Sequence, residues 1–250
     1  MIRLKTAGQI EGIRRSGQLL VHVLQELIPR VEAGVSPRNL DSIARARIEA
    51  AGGRPSFLGY HGFPAALCTS VDDQVIHGIP DDTPLRNGQV VGVDCGIELE
   101  GYYSDAAVSL AVGSVSPKVE KLLRVTKESL YKGVDAARVG HRINDISRAI
   151  EEHVSREGYG IVRPYCGHGV GLAIHEDPQV PNYVGPGPNP RLKPGMVLAI
   201  EPMVNLGDDD VEVLDDDWTV VTADGSVSAH YEFTVVVLSD GPEILTPWDQ

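Results

Sequence analysis

Basic residues are scarce in this sequence: 22 Lys and Arg stand against 35 Asp and Glu, a formal net charge of −13 at pH 7. Proteins hold a phosphate backbone by displacing its counterions with clustered Lys and Arg, so this balance excludes direct nucleic-acid specificity. Cysteine is scarce as well. Cys68, Cys95 and Cys166 cannot all pair and show no CxxC spacing, which excludes a disulfide scaffold or a zinc-finger site and fits a reducing, cytoplasmic setting. No run approaches the ~18 apolar residues of a membrane span, and residues 1–15 lack an apolar signal core, so neither anchor nor signal peptide is expected. What remains is an ordinary globular composition, 42% hydrophobic, with enough chain to build a large core unaided.

The chain repeats itself. The segment Leu85 to Asp94 aligns without gaps on Leu192 to Glu201, an offset of 107, matching Leu, a cation, Gly, Val, an aliphatic, a small residue, another aliphatic and an acid. Helical periodicity over 8–31 follows the capping pattern Thr6-x-x-Gln9, and Gly34 stops it. Ser36 and Pro37 open a second helix that Gly52 and Gly53 end. In the second half, Ser116 and Pro117 open a third helix, and a fourth begins near 143 and ends before Gly158. β-Branched runs predict strands over 67–76, 89–97, 102–112, 195–204, 218–222 and 228–238. The expectation is a single α+β domain, 1–250, of two helix-helix-strands halves (1–112 and 113–250) related by a pseudo-twofold axis. An antiparallel sheet and a cleft lined by both halves follow. The stretch 181–194, rich in Pro and Gly, reads as a surface loop, and the acidic runs 208–210 and 215–217 as solvated ones.

Two acids occupy unsuitable places. Asp94 and its repeat partner Glu201 each end an apolar strand, where a carboxylate is costly to desolvate unless a cation or donors await it. A turn centred on Leu99 and Glu100 would set Asp94 directly opposite Asp105, whereas a slip of one residue with Gly101 as a bulge would send them to opposite faces. Glu232 lies in another apolar strand, and a turn at Asp224 and Gly225 would bring Asp217 or Trp218 level with it, making Asp217 a rival acid. Four converging carboxylates have one economical explanation, a pair of divalent cations. His77, His168 and His175 sit in glycine-containing loops and could complete such a site, His168 most readily because glycines flank it. Other chemistries are weaker: there is no G-x-S-x-G elbow and no H-E-x-x-H, the 167–171 segment is a poor dinucleotide fingerprint, and Cys166 near His168 is no evidence of a thiol catalyst.

The ordered set Ile76 to Pro80, Asp94, Asp105, Gly167 to Gly171, His175-Glu-x-Pro178, Glu201-Pro202 and Tyr231-Glu-x-Thr234 strongly resembles type I methionine aminopeptidases of the pita-bread fold, along nearly the whole chain. That resemblance implies removal of the N-terminal methionine from newly made proteins when the second residue is small, by two divalent ions (Mn²⁺, Fe²⁺ or Co²⁺) whose bridging hydroxide attacks the scissile carbonyl. It implies Asp105 and Glu232 as bridging ligands, Asp94 on one ion, and His168 and Glu201 on the other. His175 would stabilise the tetrahedral intermediate, His77 would contact the second residue or its amide, and Glu201 would shuttle a proton. Phe57, Tyr60, Phe63, Cys68, Ile174 and Trp218 would form the methionine pocket. The implied partners are nascent N-termini and, transiently, the ribosome, with a monomer as the working form. Four positions depart from the pattern: Ile174 where an aromatic is common, Phe57 where a smaller residue is frequent, His230 for Gln and Phe233 for His. The alternatives are a prolidase or Xaa-Pro aminopeptidase, which normally carries an additional N-terminal domain, and a non-catalytic pita-bread module that binds peptides or proteins. Only about 60 residues precede the first expected strand here.

Overall fold

Thr6 opens the first helix as its sequence requires: the Thr6 hydroxyl accepts from the Gln9 backbone N–H, and the Gln9 side chain accepts from that of Thr6. In the computed structural model, which describes all 250 residues, this helix is α1 (Ala7–Leu27). It ends sooner than the periodicity predicts, because Pro29 diverts the chain into a single 3-10 turn, Ile28–Arg30. Ser36 caps α2 (Pro37–Ala50), and β1 (Arg54–Pro55), β2 (Leu67–Val71), β3 (Gln74–Ile76), β4 (Val90–Leu99) and β5 (Tyr102–Ala111) follow. The second half begins with α3 (Pro117–Ala136), capped by Ser116, and α4 (Ile143–Ser155). Its strands are β6 (Gly160–Ile161), β7 (Gly167–Gly169), β8 (Glu176–Val180), β9 (Val197–Ile200), β10 (Met203–Asn205), β11 (Val211–Val213), β12 (Val220–Thr222), β13 (Ser228–His230), β14 (Phe233–Leu238) and β15 (Gly241–Ile244).

All strand pairs are antiparallel, in four hydrogen-bonded sheets. The repeat is visible in them: β4 pairs with β5 as β9 pairs with β14, and each of β4 and β9 is an inner strand. Both halves feed one apolar core that includes Leu20, Leu40 and Ile97 from the first and Leu130, Ile150 and Phe233 from the second. Each such side chain contributes about 1.5–3 kcal/mol when fully buried.

Three long expected strands are each two. The run 67–76 turns at Asp72, held at φ 55, and the run 195–204 breaks at Pro202, which has no N–H to give a ladder. The run 228–238 breaks at Glu232, whose N–H goes to Ala107 O at 2.9 Å in the other half. Both second-half breaks fall at an acid singled out above. Seam contacts continue on either side of Glu232: Ser109 and His230 exchange bonds at 2.9 Å, and the Thr234 hydroxyl both accepts from Asp105 N–H and donates to Asp105 O.

The β4–β5 register corrects the expected one. Glu100 and Gly101 form the two-residue loop, both at positive φ (54 and 84), so Leu99 pairs with Tyr102, Gly96 with Asp105, and Asp94 with Ala107. The slip relative to direct opposition is two residues, which preserves the face, and Asp94 and Asp105 are diagonal neighbours. The Trp218 segment corrects another expectation: β12 pairs with β11 and β3, not with the Glu232 strand, and Asp217 is exposed. It is no rival acid. The 181–194 stretch is mostly at the surface, but its Asn182 is fully buried.

Gly101 and Gly8 are both exposed, and a Cβ at either meets nothing within 4 Å, so only the backbone decides the cost of alanine. Gly101→Ala should destabilise by about 1 kcal/mol through its positive φ, while Gly8→Ala in α1 should stabilise by about 0.5 kcal/mol. Urea unfolding of the metal-free variants reads both, and equal signs would contradict the loop assignment.

Candidate metal centre and its apolar wall

Five side chains from five elements meet in one cavity of ≈ 590 Å³: Asp94 from β4, Asp105 from β5, His168 from β7, Glu201 just after β9 and Glu232 just before β14. His168 therefore lies in a short strand between β8 and β9 rather than in a loop. His168 Nε2 is 3.4 Å from Glu201 Oε1 and 3.9 Å from Asp105 Oδ2. Ligand-type atoms of Asp105, His168 and Glu232 all lie within 4.8 Å of one another.

No lysine or arginine pairs with these carboxylates; the nitrogens near them belong to histidines. Buried oxygens of Asp94 (Oδ1), Asp105 (Oδ1) and Glu232 (Oε1) have no hydrogen-bond partner. Burial accordingly pushes Asp94 up to about 7 and Glu201 up to about 8. Asp105 and Glu232 are driven well above the usual carboxylate range, by burial first and then by the neighbouring acids. Burial holds His168 down to about 3, with His175 adding to it, so His168 presents a neutral imidazole. Its Nδ1 faces Gly169 O at 3.0 Å, which leaves Nε2 toward the acids. A cluster of partnerless acidic oxygens around a neutral imidazole is the donor set a divalent cation requires, and these residues could hold such an ion.

The apolar side of the cavity is equally defined. Phe57, Phe63, Cys68 and Ile174 are buried in one cluster against which Tyr60 and Trp218 pack, with Phe63 and Trp218 edge to face at 5.0 Å. Five of the six line the cavity; Ile174 does not, and instead approaches the position a Cβ on Gly96 would occupy (3.1 Å), beside Phe57 (2.8 Å). The two departures at Phe57 and Ile174 thus meet over one glycine, a larger ring on one side and a smaller side chain on the other. Gly96, facing Asp105 across the ladder, was not singled out from the sequence; a glycine inside a strand is the signal that could have found it.

His175 and His77 flank the acids. His175 Nδ1 is 2.9 Å from the Tyr60 hydroxyl, and its ring lies 4.3 Å from that of His168. His77 sits at φ 59, edge to face with Tyr165 at 5.8 Å, and burial lowers it to about 4. Gly78 makes that bend possible, because a Cβ there would fall 2.2 Å from Thr69 O. Tyr165 itself lines the cavity and went unread, since nothing in its spacing marks it. Also unread was the contact of His230, whose buried Nε2 is 3.4 Å from Glu201 Oε2. Phe233 is fully buried among Tyr131 and Trp248.

Comparison with known proteins agrees with this geometry. Residues 11–239 match the sequence model of metallopeptidase family M24. A methionine aminopeptidase from Clostridium perfringens is 50% identical over 98% of this chain and 99% of its own. The crystal structure of a methionine aminopeptidase from Rickettsia prowazekii superposes with TM-score 0.96 at 37% identity, covering 98% of this chain and all of that one. A prolidase from Pyrococcus horikoshii shares the fold at TM-score 0.80 and 22% identity, covering 97% of this chain but 63% of its own. With the family's sequence pattern running through nearly its whole length and its acids gathered in the cleft between two related halves, this chain belongs to metallopeptidase family M24.

Proposed function

We propose that this chain is a metal-dependent aminopeptidase that removes the N-terminal methionine from newly made proteins when the second residue is small, and that both halves form one catalytic unit. The observation that carries it is the meeting, in one cavity, of partnerless buried carboxylates around His168 with an apolar wall suited to one long side chain. Relatives matched from end to end are named methionine aminopeptidases, which favours this reading over a prolidase. A non-catalytic binding module would have no use for acids whose burial lowers stability.

In this reading Asp94, Asp105, His168, Glu201 and Glu232 would hold two divalent ions, Asp105 and Glu232 as ligands common to both, Asp94 as a ligand of one and His168 and Glu201 as ligands of the other; Mn²⁺, Fe²⁺ and Co²⁺ all suit four carboxylates and an imidazole. Divalent ions held there would supply a water of lowered pKa and Lewis-acid polarisation of the scissile carbonyl. The protein's residues do the rest. Phe57, Tyr60, Phe63, Cys68 and Trp218 receive the methionine side chain and keep water from it, with Ile174 supporting Phe57; an unbranched thioether conforms well to such walls. The Tyr60 hydroxyl at His175 Nδ1 leaves Nε2 to donate to the oxygen that gains charge. His77 contacts the second residue or its amide, and Glu201 shuttles a proton to the leaving amine. The substrates are nascent N-termini met in the cytoplasm by a monomer in transient contact with the ribosome. No helix is long and apolar enough to cross a membrane.

Asp105→Asn and Glu232→Gln should each abolish turnover and lower bound metal together, as metal analysis alongside a peptide assay would read; full metal and full activity in either variant would refute the bridging assignment. Because Asp94 and Glu201 titrate at about 7 and about 8 without metal, binding of a divalent ion to the deprotonated acids should release protons at pH 7. Its affinity should accordingly rise from pH 6 to pH 8. Calorimetry in buffers of different ionisation enthalpy measures this, and a pH-independent affinity would contradict it. A bulky second side chain would hold the carbonyl away from the metal site, and displacement by ~1 Å can cost about 100-fold in rate. Met-Ala-Ser should therefore be cut at least ~100-fold faster than Met-Lys-Ser, with Leu-Ala-Ser poor because a γ-branched side chain fits the wall badly; equal rates on the two Met peptides would overturn the substrate assignment.

A further inference from the structure

One buried ion pair has no part in the scheme above. Lys5 Nζ lies 3.0 Å from Glu176 Oε2, with side-chain exposures of 1% and 4%. Burial pulls the Lys5 ammonium below its ordinary value, with Glu176 opposing that fall. A buried pair of this kind is a poor source of stability, since desolvating both charges offsets most of their attraction; its value lies in fixing geometry.

The geometry here leads to His175. Glu176 Oε1, the other oxygen of the paired carboxylate, accepts from Leu172 N–H at 2.7 Å and Ala173 N–H at 3.1 Å, folding the turn that carries Ile174 and His175 around itself. Gly171 opens that turn at φ 129, and a Cβ there would fall 2.4 Å from Ile13 Cδ1 and 3.2 Å from Lys5 Cε, so the turn is pressed onto α1 and the Lys5 stem. Lys5 is itself fixed: its N–H donates to Gly195 O at 2.7 Å, and Thr6, next in the chain, caps α1. A continuous polar path runs from the lead-in of α1 through the Glu176 carboxylate to the two amides preceding Ile174.

We propose that Lys5 is a positioning residue: through Glu176 it locks the 171–175 turn so that His175 holds the orientation its reaction role needs. The proposal rests on the aminopeptidase reading. A carboxylate without its counter-ion would turn toward solvent and release Leu172 and Ala173, loosening His175 without touching any metal-binding side chain.

The test uses Lys5→Met and, because a lone buried Glu176 charge could impair folding, the double variant Lys5→Met/Glu176→Met, which removes both charges together with the oxygen that accepts from Leu172 and Ala173. Each is also made in a His175→Ala background. In the metal-loaded full chain, kcat on Met-Ala-Ser should fall ~10-fold or more with KM within ~2-fold and metal content unchanged, while amide exchange at Leu172 and Ala173 quickens. Added to His175→Ala, the same changes should lower kcat by less than ~2-fold further, because Lys5 acts through that imidazole. Wild-type kcat in the folded double variant, a loss that multiplies fully with that of His175→Ala, or a loss confined to KM would each overturn the proposal. A wild-type chain that cleaves no Met-Ala peptide would overturn the functional reading itself, and this proposal with it.

Discussion

Oxygens of Asp94, Asp105 and Glu232 lie buried without a hydrogen-bond partner, so the acids of the centre do not hold one another in place. Their positions must come from the backbone behind them. Asp105 is gripped at both N–H and C=O by the Thr234 hydroxyl. The Glu232 N–H reaches Ala107 O, and its carbonyl accepts from the Trp248 indole at 3.1 Å. The Glu201 carbonyl accepts from buried Asn182 at 3.0 Å. Every anchor comes from a segment remote in sequence, several of them from the opposite half. The acids converge because the two halves are fastened together just behind them.

This explains where the sequence was informative. Local chemistry was legible: the caps at Thr6, Ser36 and Ser116, the repeat joining Asp94 to Glu201, and a carboxylate too costly to bury without a cation. A single acid at the end of an apolar strand is commonplace; two at repeat-equivalent positions, Asp94 and Glu201, were what pointed to a metal site. What stayed hidden depended on partners distant in the chain. Nothing around residue 232 says that its N–H will leave its own ladder for Ala107, and nothing in 181–194 says that Asn182 will be drawn inward to serve Glu201. The register error had a local cause instead: Glu100, an ordinary residue, accepts a positive φ so that the loop twist matches the strands. The roles proposed for His175 and for the apolar wall were suggested only by family resemblance, because their spacing carries no chemical signature.

The two halves pair their acid-bearing strands alike and end them differently. In the first, β4 and β5 run unbroken for ten residues each, and Asp94 and Asp105 project from a continuous ladder. In the second, the equivalent strands break beside Glu201 and Glu232 and pass into a second sheet, β10 and β13, so these acids sit at strand ends. A rigid ladder presents two acids from one face at a fixed diagonal, and a pair of strand ends can meet them from across the seam without clashing backbones.

That arrangement sets stability against function. Four buried acids and the imidazoles of His168 and His230 lie where apolar side chains would pack better, and the metal-free centre contributes repulsion that the surrounding core must outweigh. Protonation relieves part of this, which is why the acids titrate high. Cations relieve the rest, and an ion that binds only the folded chain adds RT ln(1 + [L]/Kd) to its stability. Occupancy of the centre and integrity of the seam are therefore linked quantities. Loosening the Ser109 and Thr234 contacts would spread the acids and weaken binding of the ion, and loss of the ion would return the repulsion to the seam that those contacts close.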